Sequence, residues 1–335
     1  MRAFEYVRAT DTREAVRLLA DDPAASCLAG GTTQLDLMKD GVLEPPRLID
    51  ITRLPLHRVE HRGDALHVGA LTTMEELAAD ATVAARLPLV REALLRGASV
   101  QLRNMATIGG NLLQRTRCRY FRDPTVAECN KRTPGSGCAA VRGAARMHAV
   151  LGASERCIAL HASDLAVALV ALDAVVHIQG PSRARTVPLT EFYLTADESP
   201  EREHVLEHAE LITGVEIPLP SASARSGYLK VRDRASYEFA LVSAAVLLVV
   251  EDGMIGAARV GLGGVGTKPW RAHEAEHVLT GAPATTATFQ EAAEATMRDA
   301  WTVPGTAFKV PLARRTLVRA LQTVSGVRAA EGMVL

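Results

Sequence analysis

Two glycine-paired segments constrain this chain more than any other feature: Leu28-Ala29-Gly30-Gly31-Thr32-Thr33-Gln34 and, about 80 residues later, Ala106-Thr107-Ile108-Gly109-Gly110-Asn111. Each sets two glycines beside small hydroxyl residues after an apolar run, which lets backbone N–H groups approach a phosphate without interference from a Cβ. Two such loops point to a dinucleotide held at two places. Neither has the G-x-G-x-x-G spacing of a doubly wound dinucleotide turn or the spacing of a phosphate-binding P-loop, so the usual nucleotide folds lose ground.

The first loop follows a short strand through Ser26-Cys27-Leu28-Ala29 and precedes a helix from Gln34 to Met38. At such a junction the helix N-terminal amides also face the ligand and favour an anion. Upstream, Asp11 or Thr12 caps a helix with an acidic first turn. Strands are expected at Arg47 to Ile51 and Ala65 to Ala70, helices at Met74 to Ala79 and Leu87 to Arg96, which gives an α+β domain of mixed order. No internal repeat is present.

At 335 residues the default is two or three domains. Lysine plus arginine equal aspartate plus glutamate, 38 of each, so no global field recruits nucleic acid or an anionic membrane. The longest apolar run, Phe239 to Val250, covers 12 residues and falls short of the roughly 20 that span a bilayer. A soluble chain with no membrane insertion is therefore expected. The first residues, Met1 to Arg8, carry no apolar h-region or cleavage site, so no export signal is read there.

Between Arg115 and Arg156 the pattern becomes polar and turn-rich with no sustained period, and a loop of that length is functional or disordered. Regular pattern resumes with a capped apolar helix over Ala162 to Leu172, a strand Val175 to Ile178 and another from Glu210 to Pro218. Ser221 to Gly227 reads as a linker. Beyond it, strands at Ala240 to Val250 and Ile255 to Gly261 precede helices near Arg271 to Leu279, Thr288 to Ala300 and Leu312 to Ser325, a separate α+β domain.

Four of the five cysteines, Cys118, Cys129, Cys138 and Cys157, lie in or at the end of the irregular stretch. Four thiolates on pliable backbone can wrap an iron–sulfur cluster, which would in turn order a loop with no core of its own. The spacing Cys-x10-Cys-x8-Cys-x18-Cys matches no short ferredoxin or zinc-finger pattern. On residues alone a metal cluster, structural thiols and disulfides all stay open. Cys27, on an apolar strand, reads as a core thiol. His57, His61, His67 and His161 show no metal-ligand spacing, and His161 reads as structural.

Leu28 to Thr33, Ala106 to Leu112, Ser163-Asp164-Leu165 and Glu216-Ile217-Pro218 resemble the FAD-binding subunit of the xanthine oxidase family of molybdenum hydroxylases. Gly261-Leu262-Gly263-Gly264-Val265-Gly266-Thr267-Lys268-Pro269 resembles the C-terminal domain of the same subunits, so the likeness runs through nearly the whole chain in the right order. Most members lack a cysteine loop between Asn111 and Ser163. Bacterial periplasmic aldehyde oxidoreductases, and 4-hydroxybenzoyl-CoA reductases in a comparable place, have an inserted loop that binds [4Fe-4S]. The cysteines here resemble the aldehyde oxidoreductase version.

The resemblance implies an α+β architecture: a vanillyl-alcohol-oxidase (PCMH)-type FAD-binding fold over 1–223, in subdomains of about 1–55 and 56–223 with an iron–sulfur loop at 115–157. A C-terminal α+β domain of the CO dehydrogenase flavoprotein type would fill 224–335. Cys27, Leu28, Ala29, Gly30, Gly31, Thr32, Thr33 and Gln34 would bind the pyrophosphate, with Thr107, Gly110 and Asn111 on the other side of the cofactor. Asp164 would accept from a hydroxyl of FAD, Ile212 would lie over the flavin or its adenine, and Lys230 would approach the flavin ring. Residue by residue, Asp164 also reads as a helix cap, Ile212 as core and Lys230 as a solvated surface lysine. Cys118, Cys129, Cys138 and Cys157 would ligate [4Fe-4S].

No catalytic residue is expected in this chain. The molybdenum cofactor and the [2Fe-2S] clusters would belong to a large and a small partner subunit of a heterotrimer, and an external acceptor would take the electrons. Where xanthine-oxidising relatives carry an aromatic beside the flavin, this chain has Gly97-Ala98-Ser99 with no neighbouring aromatic, and no second dinucleotide fingerprint supports NAD as acceptor. The chain would stay in the cytoplasm or reach the periplasm with a signal-bearing partner. A self-contained flavin oxidase of the same fold and a non-redox metal-binding scaffold are the rival readings.

Overall fold

The computed structural model describes residues 1–327. Strands β1 (Glu5–Arg8), β2 (Ser26–Leu28) and β3 (Arg47–Asp50) form a parallel sheet in the order β1-β3-β2. The helix Thr12–Asp21 joins the first two, capped by Asp11, whose carboxylate accepts from Glu14 N. Ala15, Val16 and Leu19 recur at helical spacing and bury that helix against Ile49 and Ile51.

A second, antiparallel sheet has the order β4-β5-β8-β6-β7, with β4 (Val59–Arg62), β5 (Ala65–Gly69), β6 (Val175–Gln179), β7 (Ala184–Pro188) and β8 (Leu211–Pro218). Its two edge strands, β4 and β7, were not legible in the sequence. Both carry charged residues and little apolar alternation, as edges that resist further pairing do. Between β5 and β6 run the helices Met74–Ala79, Pro88–Arg96 and Ile108–Leu112, the cysteine loop and the helix Asp164–Ala171.

The third sheet, in the order β12-β11-β10-β9, holds β9 (Arg225–Val231), β10 (Val242–Glu251), β11 (Met254–Gly263) and β12 (Trp270–Arg271). Strand β9 begins inside the stretch expected to be a linker, at Arg225. The long apolar run falls on β10, buried from Val242 through Leu248, because helices cover both its faces: Asp164–Ala171 and Lys309–Ser325. Asp252 and Gly253, both at positive φ, close the β10–β11 hairpin. Among the described residues no helix is long and apolar enough to cross a membrane.

The helix Asp164–Ala171 ties the parts together. Every residue from Leu165 to Ala171 is buried, and a Cβ at Gly261 would lie 2.6 Å from the Val167 carbonyl. Only glycine lets the helix settle that closely on β11. Ser163 caps it, accepting from Ala166 N at 2.9 Å, so Asp164 is held in its first turn, at the seam of the sheets.

Candidate functional site

The two glycine loops meet. Gly30 lies so close to the second loop that a Cβ there would stand 1.7 Å from Met105 O, and Gly31 turns at φ +73°. The chain then enters the helix Gln34–Lys39, with Leu35 and Leu37 donating back to Gly31 O and Thr33 O at 3.0 Å. The amides of the residues ahead of Leu35 stay outside the helical ladder and free for a ligand. The second loop is strapped to the segment after β5: Met74 N donates to Ala106 O, Ile108 N to Thr72 O and Gly109 N to Ala70 O, at 2.8 to 2.9 Å. Thr107 caps the following helix, its Oγ1 accepting from Gly110 N at 3.2 Å.

Around these loops lies an elongated cleft of two cavities that share Thr32, Thr33 and Gly110. One, of about 480 Å³, is walled by Cys27, Ala29, Gly30, Gly31, Gln34, Thr107 and Ile212. The other, of about 410 Å³, is walled by Asn111, Asp164, Lys230, Gly97, Ala98, Tyr237 and Phe239. Of the residues expected at the cofactor, Leu28 stands back, its carbonyl accepting from Ile51 N to anchor the loop. Ile212 and Lys230 fall in different cavities, so these two residues face opposite ends of the cleft. Cys27 is half-buried, packed against the core of the first sheet, and desolvation pushes its thiol pKa up to about 12.

Asp164 and Lys230 form one buried unit. Lys230 Nζ stands 2.7 Å from Asp164 Oδ2 and donates to Arg96 O at 3.0 Å, while Tyr228 O–H donates to Asp164 Oδ1 at 2.6 Å. Lys230 is 1 % exposed at its side chain, which removes the solvated-surface reading. Burial raises the pKa of Asp164 against the opposing pull of Lys230 and Tyr228. Asn111 is fixed beside them, accepting from Ser163 Oγ at 2.6 Å.

No aromatic adjoins Gly97-Ala98-Ser99 along the chain, yet the fold supplies two. Tyr237 and Phe239, from the segment joining β9 to β10, wall the same cavity as Ala98, and Arg117 stacks on Phe239 at 5.2 Å. Only tertiary packing joins these positions, and Ala98 and Tyr237 both sit at positive φ.

All five cysteines are free thiols, so the disulfide alternative does not describe this structure. Cys118 packs with Cys138, with Cys129 and with Cys157 in three small clusters. Cys129 and Cys138 face each other in an antiparallel bridge. Burial pushes the Cys118 thiol up to about 11, whereas a hydrogen bond from Cys157 holds Cys138 down at about 6 and itself leaves Cys157 raised. His148 Nε2 lies 3.1 Å from Cys118 Sγ, and its Nδ1 is buried without a partner. Among the described residues no three of these sulfurs lie within 4.8 Å of one another. A single zinc ion, at about 2.3 Å from each sulfur, would need them closer, while a four-iron cluster fits a wider set.

The loop is built from polar staples. Arg132 donates to Phe121 O at 2.7 Å and also to Val126 O, and Lys131 donates to Pro200 O at 2.7 Å. Arg117 and Arg122 pair with Asp36 at 2.7 and 2.6 Å, which fastens the loop to the helix behind Gly31. A cavity of about 320 Å³ reaches Cys118 and His148 and shares Arg117, Arg146, Met147, Ala162 and Phe239 with the Lys230 cavity.

Comparison with known proteins agrees with this layout. Residues 2–220 match the family described as the FAD binding domain in molybdopterin dehydrogenase, and residues 227–324 match the CO dehydrogenase flavoprotein C-terminal domain. The chain is 45 % identical over 324 residues to the aldehyde oxidoreductase FAD-binding subunit PaoB of Escherichia coli, covering 96 % of this chain and 98 % of that protein. It is 27 % identical to the carbon monoxide dehydrogenase medium chain of Afipia carboxidovorans, over 83 % of this chain and 80 % of that one. A solved carbon monoxide dehydrogenase from Hydrogenophaga pseudoflava superposes with a TM-score of 0.77 at 27 % identity, covering 98 % of this chain and 99 % of that chain.

Proposed function

Because the chain belongs to the family of FAD-binding medium subunits of molybdenum hydroxylases, we propose that it is the FAD- and [4Fe-4S]-binding electron-transfer subunit of a molybdenum-dependent aldehyde oxidoreductase. One observation carries this reading: the cysteine loop and the cofactor cleft share a wall, from Arg117 to Phe239. The molybdenum cofactor and [2Fe-2S] clusters then reside in a large and a small partner subunit, and an external acceptor receives the electrons.

In this reading the amides from Gly30 to Gln34 and the hydroxyls of Thr32 and Thr33 hold the pyrophosphate, with Thr107 and Gly110 opposite. Ile212 covers the adenine end. Asn111 and Asp164 take the hydroxyl chain and the ring edge. A bound flavin accepts electrons singly or in pairs, and a [4Fe-4S] cluster passes them singly. Lys230 sets the field at the ring, but its ion pair with Asp164 cancels much of a full positive charge. Tyr237, Phe239 and the Arg117 stack exclude water from the ring end. His148 is placed to donate to the Cys118 sulfur.

The test is an absorption spectrum of the purified chain with iron, sulfide and FAD assays on one sample. About four irons per FAD are expected. Cys129→Ser or Cys138→Ser should lower iron and leave FAD bound; unchanged iron and sulfide would sink the ligand assignment. Yellow colour retained by acid-precipitated protein would favour a self-contained oxidase with covalent flavin, and colourless protein a scaffold.

A further inference from the structure

Outside the residues that wall the cofactor cleft, the five-stranded sheet gathers two histidines and a glutamate that the spacing of the sequence keeps apart. Strands β5, β8 and β6 bury Leu66, Val68, Val215, Ile217 and Val176 on one face, so the alternate residues His67, Glu216 and His177 share the other. His67 is the direct cross-strand partner of Glu216, and His177 is the partner of Gly214. Gly69 also faces Gly214, and the Leu56 carbonyl packs where a Gly69 Cβ would stand, at 2.2 Å. A cavity of about 500 Å³ opens beside the two histidines, lined also by Arg58, Glu60 and Arg62.

The distances suit a metal. Nε2 of His67 and of His177 lie 3.1 and 3.4 Å from Glu216 Oε2, and the three ligand atoms all fall within 4.8 Å of one another. In a tetrahedral zinc site with bonds near 2.0–2.1 Å the donors stand about 3.3 Å apart. The bland alternative is an ion pair of Glu216 with protonated histidine. That pairing serves His67 but leaves His177 Nε2 buried with no hydrogen-bond partner, a cost that a shared cation removes. Glu60, the cross-strand partner of His67, is engaged by Arg58 and Arg62, so it does not complete the set.

We propose that His67, His177 and Glu216 form a site for a divalent borderline cation of the Zn²⁺ class, with the fourth position open to water in the cavity. Two imidazoles and one carboxylate are the donor set that such ions prefer over Mg²⁺ or Ca²⁺. The ion would staple three strands of the FAD-binding domain. This site stands independently of the cysteine loop and of the function proposed above.

The test uses the full chain with iron and sulfide assayed throughout, chelator-dialysed and then titrated with Zn²⁺ by calorimetry and with Co²⁺ by absorption. One equivalent should bind, the Co²⁺ bands lacking a thiolate charge-transfer transition, and Zn²⁺ should raise the melting temperature. His177→Gln and Glu216→Gln, on the face of the sheet opposite its buried residues, should each weaken binding at least about tenfold and abolish the thermal shift. Retained FAD in both variants certifies their fold, and His57→Gln, at an exposed ring outside the trio, should bind like the wild type. The proposal is overturned if no ion binds, if His177→Gln binds unchanged, or if the Co²⁺ bands carry a thiolate charge-transfer transition.

Discussion

The cofactor cleft and the cysteine loop adjoin, yet they are held by different physics. The cleft is strapped by backbone hydrogen bonds, by the caps Thr107 and Ser163, and by a helix buried from Leu165 to Ala171. The loop has two four-residue helices, Arg119–Arg122 and Ala139–Arg142, and otherwise rests on arginine, lysine and asparagine side chains reaching carbonyls. Its apolar clusters are small and built around the cysteines themselves. A cleft of the first kind is built without its ligand, whereas a loop of the second kind would gain order from the cluster proposed for its cysteines.

The largest effect should come from breaking the cleft where it is most rigid. In Gly30→Ala the new Cβ would meet Met105 O at 1.7 Å, and because that atom is backbone, both loops must move. FAD affinity should fall by about two orders of magnitude or more, read by fluorescence titration, while iron stays on the cysteines. If iron left with the flavin, the two regions would be one cooperative unit and the contrast would fail. The reverse experiment, Cys138→Ser, should release iron and speed proteolysis within 115–157 while FAD remains.

This contrast also marks what could be read from the sequence. The glycine loops, the Ser163 cap, the run on β10 and the clustered cysteines are local patterns, and local patterns survive in one dimension. Thr32, Thr33, Asn111 and Asp164 stand in or beside the motifs, whereas Lys230 came only with the family resemblance, and the fold brings all five to one cleft. Their pairing was not legible, because Asp164 and Lys230 meet only once the helix Asp164–Ala171 packs on β10 and β11 and β9 pairs with β10. Tyr237 and Phe239 escaped for the same reason. So did His67, His177 and Glu216, whose proximity depends on strand register between segments far apart in the chain.

A middle-sized effect should come from the Lys230–Asp164 pair, the deepest ionic element of the cleft. With side chains 1 % and 10 % exposed, removal of one partner strands a buried charge. Lys230→Met should cost about 3–5 kcal/mol of stability, measured by urea unfolding, and weaken FAD about tenfold. Adding Asp164→Asn to Lys230→Met should recover part of the stability, since a neutral buried pair has no charge to desolvate. Additive losses in the double variant would show that the two side chains serve the cleft separately.

The smallest effect probes the junction where loop and cleft join, at His161. Thr116 Oγ donates to Leu160 O at 2.9 Å on one side, and on the other the His161 Nδ1 accepts from Ser163 N at 3.3 Å, just before the cap. The ring stands edge-on to Tyr193 at 4.7 Å, and burial pushes its pKa down to about 4. The neutral ring is therefore the folded form. Below about pH 6.5 the unfolded chain takes up a proton that the folded chain refuses, so stability drains as pH falls from 6.5 toward 4, by up to about 3 kcal/mol. Urea midpoints at pH 7, 6 and 5 should fall more steeply for the wild type than for His161→Gln, whose amide oxygen can still accept from Ser163 N. If His161→Gln kept the wild-type slope, the junction would yield before the ring is forced to titrate, and the rigid side of the comparison would end short of residue 161.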